Sequence, residues 1–122
     1  MIRQTHAQQF LQDLEATLEW LSFRAQDEGR PADQLIADFK EELLALASRI
    51  RENPFIYPSY SLSNPTRRAI FYFGNYALEY QLIPLNVVER NKVSEIILTS
   101  LLATRSSHYL GPYGAEVQVD DD

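Results

Sequence analysis

The chain has 122 residues, a net charge of −6, a hydrophobic fraction of 45% and no cysteine. That length suits one domain, which buries roughly two-thirds of the surface its unfolded chain exposes. The composition excludes disulfide frameworks, cysteine nucleophiles and Cys-based zinc sites. An acidic chain is also a poor generic ligand for nucleic acid, whose phosphates demand Lys and Arg.

The charge is uneven. Residues 1–52 hold ten acidic and six basic side chains, residues 53–110 hold three and five, and the last twelve hold four and none. Only the middle stretch can present a positive patch. No run approaches the roughly 18 consecutive apolar residues of a membrane span, and the first residues lack the apolar core of a signal peptide. These features predict a soluble, cytoplasmic protein.

In chain order, residues 1–3 read as a short first strand. Thr5 then reads as a helix N-cap, with Gln8 completing a capping box. Phe10, Leu11, Leu14, Leu18 and Leu21 follow at helical spacing. Gly29 suits the position just past a helix end, and Pro31 suits the first turn of the next helix. The second helix sets Leu35, Phe39, Leu43, Leu46 and Ile50 on one face and Asp38, Glu41, Glu42 and Arg49 on another. A connection this short predicts an antiparallel helical pair. Residues 53–65, with Pro54, Pro58 and Pro65, read as an ordered loop in which Phe55, Tyr57 and Tyr60 pack on the domain. Residues 68–73 and 76–82 then form a hairpin about a two-residue Gly74-Asn75 turn. Residues 92–103, apolar on both faces, predict a central strand, with residues 86–91 as the loop before it. The fold class expected is α+β, a helical hairpin on a twisted antiparallel sheet of three to four strands in the order β-α-α-β-β-β. Residues 1–110 form the domain and residues 111–122 an acidic tail.

Order, spacing and length together carry a resemblance. It lies in a short strand running into a helix (Ile2-Arg3-Gln4-Thr5, then Phe10-Leu11-Gln12-Asp13-Leu14) and in a second helix ending at Ile50, Asn53-Pro54 and Tyr57-Pro58. It continues through Arg67-Arg68 opening a strand, Tyr76-Ala77-Leu78-Glu79-Tyr80 on the next, and an apolar last strand ending at Arg105. In these features residues 1–109 resemble the RelE/ParE superfamily of bacterial toxins from type II toxin–antitoxin systems. The resemblance implies a cognate antitoxin protein that wraps the toxin. It also implies one of two activities: cutting messenger RNA in the ribosome, or, in the ParE-like branch, poisoning DNA gyrase without being a nuclease. Ala77 stands where the messenger-cutting branch carries a catalytic arginine, and residues 54–64 hold no lysine where that branch is rich in them. These departures favour the ParE-like branch.

On that reading Arg67, Arg68 and Arg105 are the target-binding residues. Trp20 and Phe23, beside the main stripe of the first helix, either widen the core face or stand exposed to bind the antitoxin. The alternative within the superfamily is a ribosome-dependent messenger endonuclease using Arg105, His108 and Tyr109 as its catalytic group. Outside it, the alternative is a protein-interaction scaffold of the same fold without toxicity. Asp38, Glu41 and Glu42 share a helical face with no histidine near, which reads as a solvated surface. No metal-ligand, phosphate-loop or small-molecule cofactor motif is present in the sequence, so neither metal nor cofactor is expected.

Overall fold

The two helices form because their apolar residues fall on one stripe each, and the stripes pack against a single sheet. The computed structural model describes residues 2–61 and 63–104. Its elements are β1 (Arg3–His6), α1 (Gln8–Asp27), α2 (Ala32–Glu52), β2 (Arg67–Phe71), β3 (Tyr76–Ile83) and β4 (Glu95–Ala103), with one 3₁₀ turn, Arg90–Lys92, before β4. The sheet order is β1-β4-β3-β2. This is the expected α+β arrangement of a helical pair on a four-stranded sheet, with β4 in the interior. The β2–β3 and β3–β4 pairs are antiparallel, whereas β1 and β4 run parallel. The sheet is therefore mixed. Two consecutive helices carry the chain from β1 to the far edge of the sheet, and β4 later returns into the gap between β1 and β3.

Every predicted stripe residue of α2 is buried, from Leu35 through Phe39, Leu43 and Leu46 to Ile50. In α1, Phe10 and Leu21 are buried, Leu14 and Leu18 pack partly against the core, and Leu11 is exposed. Opposite them lie Ala69 and Phe71 of β2, Tyr76, Leu78, Tyr80 and Leu82 of β3, and Ile96, Leu98 and Leu101 of β4. Phe39 is the hub: its ring meets those of Phe71, Tyr72 and Tyr76 with centroids 5.5, 5.1 and 5.2 Å away. Among the described residues no helix is long and apolar enough to cross a membrane.

Local chemistry sets the ends. Gly29 has φ +69°, its N–H donates to the Gln26 carbonyl, and the Arg30 N–H donates to the Ala25 carbonyl at 2.8 Å. That pair of bonds is the Schellman closure that a glycine past the last helical residue permits. Pro31 falls one residue before α2 and helps aim it back along α1.

Three local expectations change. Thr5 does not cap a helix; it lies in β1, and its hydroxyl donates to Glu95 Oε2 at 2.7 Å, because pairing with β4 satisfies residues 3–6 better than a local cap would. The first strand accordingly occupies Arg3–His6 instead of residues 1–3. The β2–β3 turn is not a two-residue Gly74-Asn75 turn. Phe71 pairs with Tyr76, leaving a four-residue loop in which Tyr72, Phe73 and Gly74 take φ of 54°, 59° and 78°. The burial of Tyr72 and Tyr76 against Phe39 fixes that register, and the backbone accommodates it.

Candidate functional site

Only one face of the sheet is covered by helices. By strand alternation, Arg68, Ile70, Ala77 and Glu79 point to the other face. The register places Arg68 of β2 opposite Glu79 of β3, and Glu79 opposite Ser100 of β4, so three strands contribute one polar row. A bulge makes the row possible. Glu79 pairs with Ser100 while Tyr80 pairs with Leu98, so Thr99 is the extra residue in β4. It shifts the alternation so that Leu98 and Leu101 both reach the core while Ser100 turns the other way.

The loop before β2 lays Tyr60 over this row. Tyr60 and Ser100 each donate a hydroxyl hydrogen bond to Glu79, one to each carboxylate oxygen. The Arg68 guanidinium stacks 4.8 Å from the Tyr60 ring centroid and is 4% exposed. Burial, then the hydrogen bond to Glu79, pushes the Tyr60 hydroxyl well above the usual tyrosine range, so it stays protonated at neutral pH. Both Glu79 oxygens are thus occupied and the phenol is held neutral. The cluster is a clamp that fastens the loop to the sheet.

The two arginines that open β2 fall into different environments. Arg67 lies 4.9 Å over the Phe55 ring and donates to the Tyr57 carbonyl, holding the same loop from the other side. It remains partly exposed, whereas Arg68 is buried. Arg105, His108 and Tyr109 lie outside the described residues, as does the acidic tail. Ala77 of β3 is fully buried.

Trp20 and Phe23 do not widen the core. They are 54% and 65% exposed, and their rings stack on each other with centroids 6.2 Å apart. Beside Trp20 runs a shallow, largely apolar depression of about 480 Å³, lined by Thr17, Tyr76, Leu101, Leu102 and Ala103. At its edge Asp13 Oδ2 accepts the Leu101 N–H at 2.9 Å, tying α1 to β4. The structure therefore brings the aromatic pair to the α1–β4 side and the two arginines to the β2 edge.

The Tyr60–Glu79–Ser100 cluster was not singled out by sequence reasoning. Glu79 and Ser100 register only as polar positions in apolar strands, and the Thr99 bulge that aligns them has no sequence signature of its own. No family model matches the chain, and no curated protein matches it.

Proposed function

We propose that this chain is the toxin subunit of a type II toxin–antitoxin pair of the ParE-like kind. On this reading it acts in the cytoplasm by binding a target protein such as DNA gyrase and is neutralised by an antitoxin that covers Trp20 and Phe23. The observation that carries the reading is the stacked, solvent-facing aromatic pair. Large aromatics beside an apolar depression are the kind of anchor that protein partners bury. The β-α-α-β-β-β order supports the same reading.

The electrostatics support a protein target over a nucleic acid. The net charge is −6, Arg68 is buried, and Arg67 is engaged with the loop, so the arginine pair that opens β2 offers little free cation to a phosphate backbone. Arg67 is the member of the entrance pair with surface left to offer a target.

The deciding test is growth of a bacterial host during tightly induced expression. Arrest with gyrase-linked DNA damage is the expected result, and Trp20→Ala with Phe23→Ala should leave the arrest intact while blocking rescue by an antitoxin. Arrest with messenger cleavage, abolished by Arg105→Ala, would establish the endonuclease alternative instead. Unimpaired growth at confirmed soluble expression would overturn both toxin readings and leave the interaction scaffold.

A further inference from the structure

Strand β2 is an edge of the sheet. Among the described residues its outer side is met only at its start, by the isolated bridge between Ser59 and Arg67. Past that bridge Ile70 is the exposed residue of β2, between buried Ala69 and Phe71, and there a short stretch of edge can receive a strand from another chain. A groove of about 740 Å³ opens along this edge between α2 and β2, with Phe71, Tyr72 and Phe73 at its end.

The groove has a marked charge pattern. Asp38, Glu41 and Glu42 of α2 line it, and all three are exposed. Their i, i+3, i+4 spacing puts them on one helical face, and none is in an ion pair among the described residues. Arg24 and Arg30, on the opposite rim, are both held by Glu28. Arg49 alone among the lining cations is outside an ion pair. Asp38 Oδ1 accepts a hydrogen bond from Gln34 Nε2, and Glu41 and Glu42 leave the α2 wall acidic towards a partner's cations.

The turn at the groove's end adds an anchor. Phe73 is 87% exposed and has φ 59°, directly after Tyr72 at φ 54°. Left-handed backbone costs an ordinary side chain about 1–2 kcal/mol, and asparagine or glycine would serve the turn more cheaply. Tyr72 is retained for its packing on Phe39. Among the described residues the Phe73 ring meets that of the neighbouring Tyr72. Its ring is displayed at a backbone cost that folding does not explain.

We propose that a partner protein docks here by adding an extended, basic segment to the free edge of β2. Period-two alternation assigns the contacts: one set of side chains is cationic and faces Asp38, Glu41 and Glu42, and the other is apolar and meets Ile70 on the open face, with Phe73 packing over the end. The chain's own residues 105–122 do not suit the role, because Glu116, Asp120, Asp121 and Asp122 stand against the single cation Arg105. The proposal stands on the β2 edge and the α2 wall, independently of the toxin reading and of the α1 aromatic pair.

The test uses a fluorescently labelled synthetic peptide of about eight alternating Val and Lys residues, a typical strand length, titrated into the full chain. Binding is followed by anisotropy, with amide exchange read residue by residue. The expected result is saturable binding with new protection at the Ile70 amide, the exposed outward-facing position of β2. It should weaken at least about tenfold on Glu41→Lys with Glu42→Lys, because each lost ion pair is worth a fraction of the 1.4 kcal/mol that a tenfold change represents and the new lysines repel. Both positions are exposed on α2, so the variant keeps its fold, which circular dichroism checks. Phe73→Asn, which keeps the left-handed turn, should weaken binding while leaving the fold unchanged or firmer. N-methylating alternate peptide amides on the pairing side should abolish binding. Equal affinity for a Val-Glu peptide, protection confined to α1, insensitivity to these changes, or no binding at about millimolar peptide would each overturn the proposal.

Discussion

At the scale of single residues, Glu79 shows how a polar side chain is kept in a sheet. Strand pairing sets Arg68 on one side of it and Ser100 on the other, and Tyr60 closes over the top. A hydrogen bond to a charged acceptor is worth about 1.5–3 kcal/mol net, so Tyr60→Phe, which keeps the ring over Arg68, should lower stability by about 2 kcal/mol in urea unfolding. A loss below about 0.5 kcal/mol, the range of ordinary surface changes, would show that the clamp is incidental. Phe23 and Trp20 make the opposite point. Their positions beside the α1 stripe left both core and surface open, and only the packing of α1 on β4 turned them outward.

At the scale of elements, two ends report different physics. The turn between α1 and α2 depends on Gly29 at φ +69°, and a Cβ there would meet nothing within 4 Å. The penalty of Gly29→Ala is therefore conformational alone, about 1–2 kcal/mol, measurable as a shifted denaturant midpoint at unchanged m-value. The β1–β4 pair depends on Glu95, whose carboxylate accepts from Thr5 and from Arg3. The Thr5 hydrogen bond first, and the Arg3 bond after it, hold this carboxyl below the usual glutamate range. A carboxyl whose pKa is lowered by folding contributes stability that is complete above its unfolded value, about 4.3, and is lost as pH falls through the folded value. Amide exchange should therefore show β1 losing protection below about pH 4 while β2 and β3 keep theirs. Glu95→Gln should flatten that pH dependence.

At the scale of the whole molecule, one aromatic cluster joins both layers. Phe39 of α2 is fully buried and touches rings from β2, the hairpin turn and β3. Phe39→Ala removes a core aromatic and leaves a cavity, a change worth about 3–5 kcal/mol, comparable to much of the stability of a domain this size. Loss of cooperative thermal unfolding, or a midpoint lowered by 10 °C or more, is the expected outcome. The same cluster links the two surfaces, since Tyr76 lines the depression beside Trp20 and Tyr72 lines the groove beside β2.

The sequence by itself determined the helical pair, the α+β class and the interior place of β4, because these follow from hydrophobic period and from one glycine, which act over neighbouring residues. The buried stripe of α2 was legible in full for that reason. Only the tertiary structure decided that Thr5 pairs in a strand, that β1 runs parallel to β4, and that Tyr72 and Phe73 join Gly74 in a four-residue β2–β3 turn in place of a two-residue Gly74-Asn75 turn. It also decided that Arg68 is buried beneath Tyr60, and that Asp38, Glu41 and Glu42 line the groove beside β2. Each of these depends on which distant segment arrives alongside, and pairing energies between remote strands outweigh the local preferences that a sequence displays.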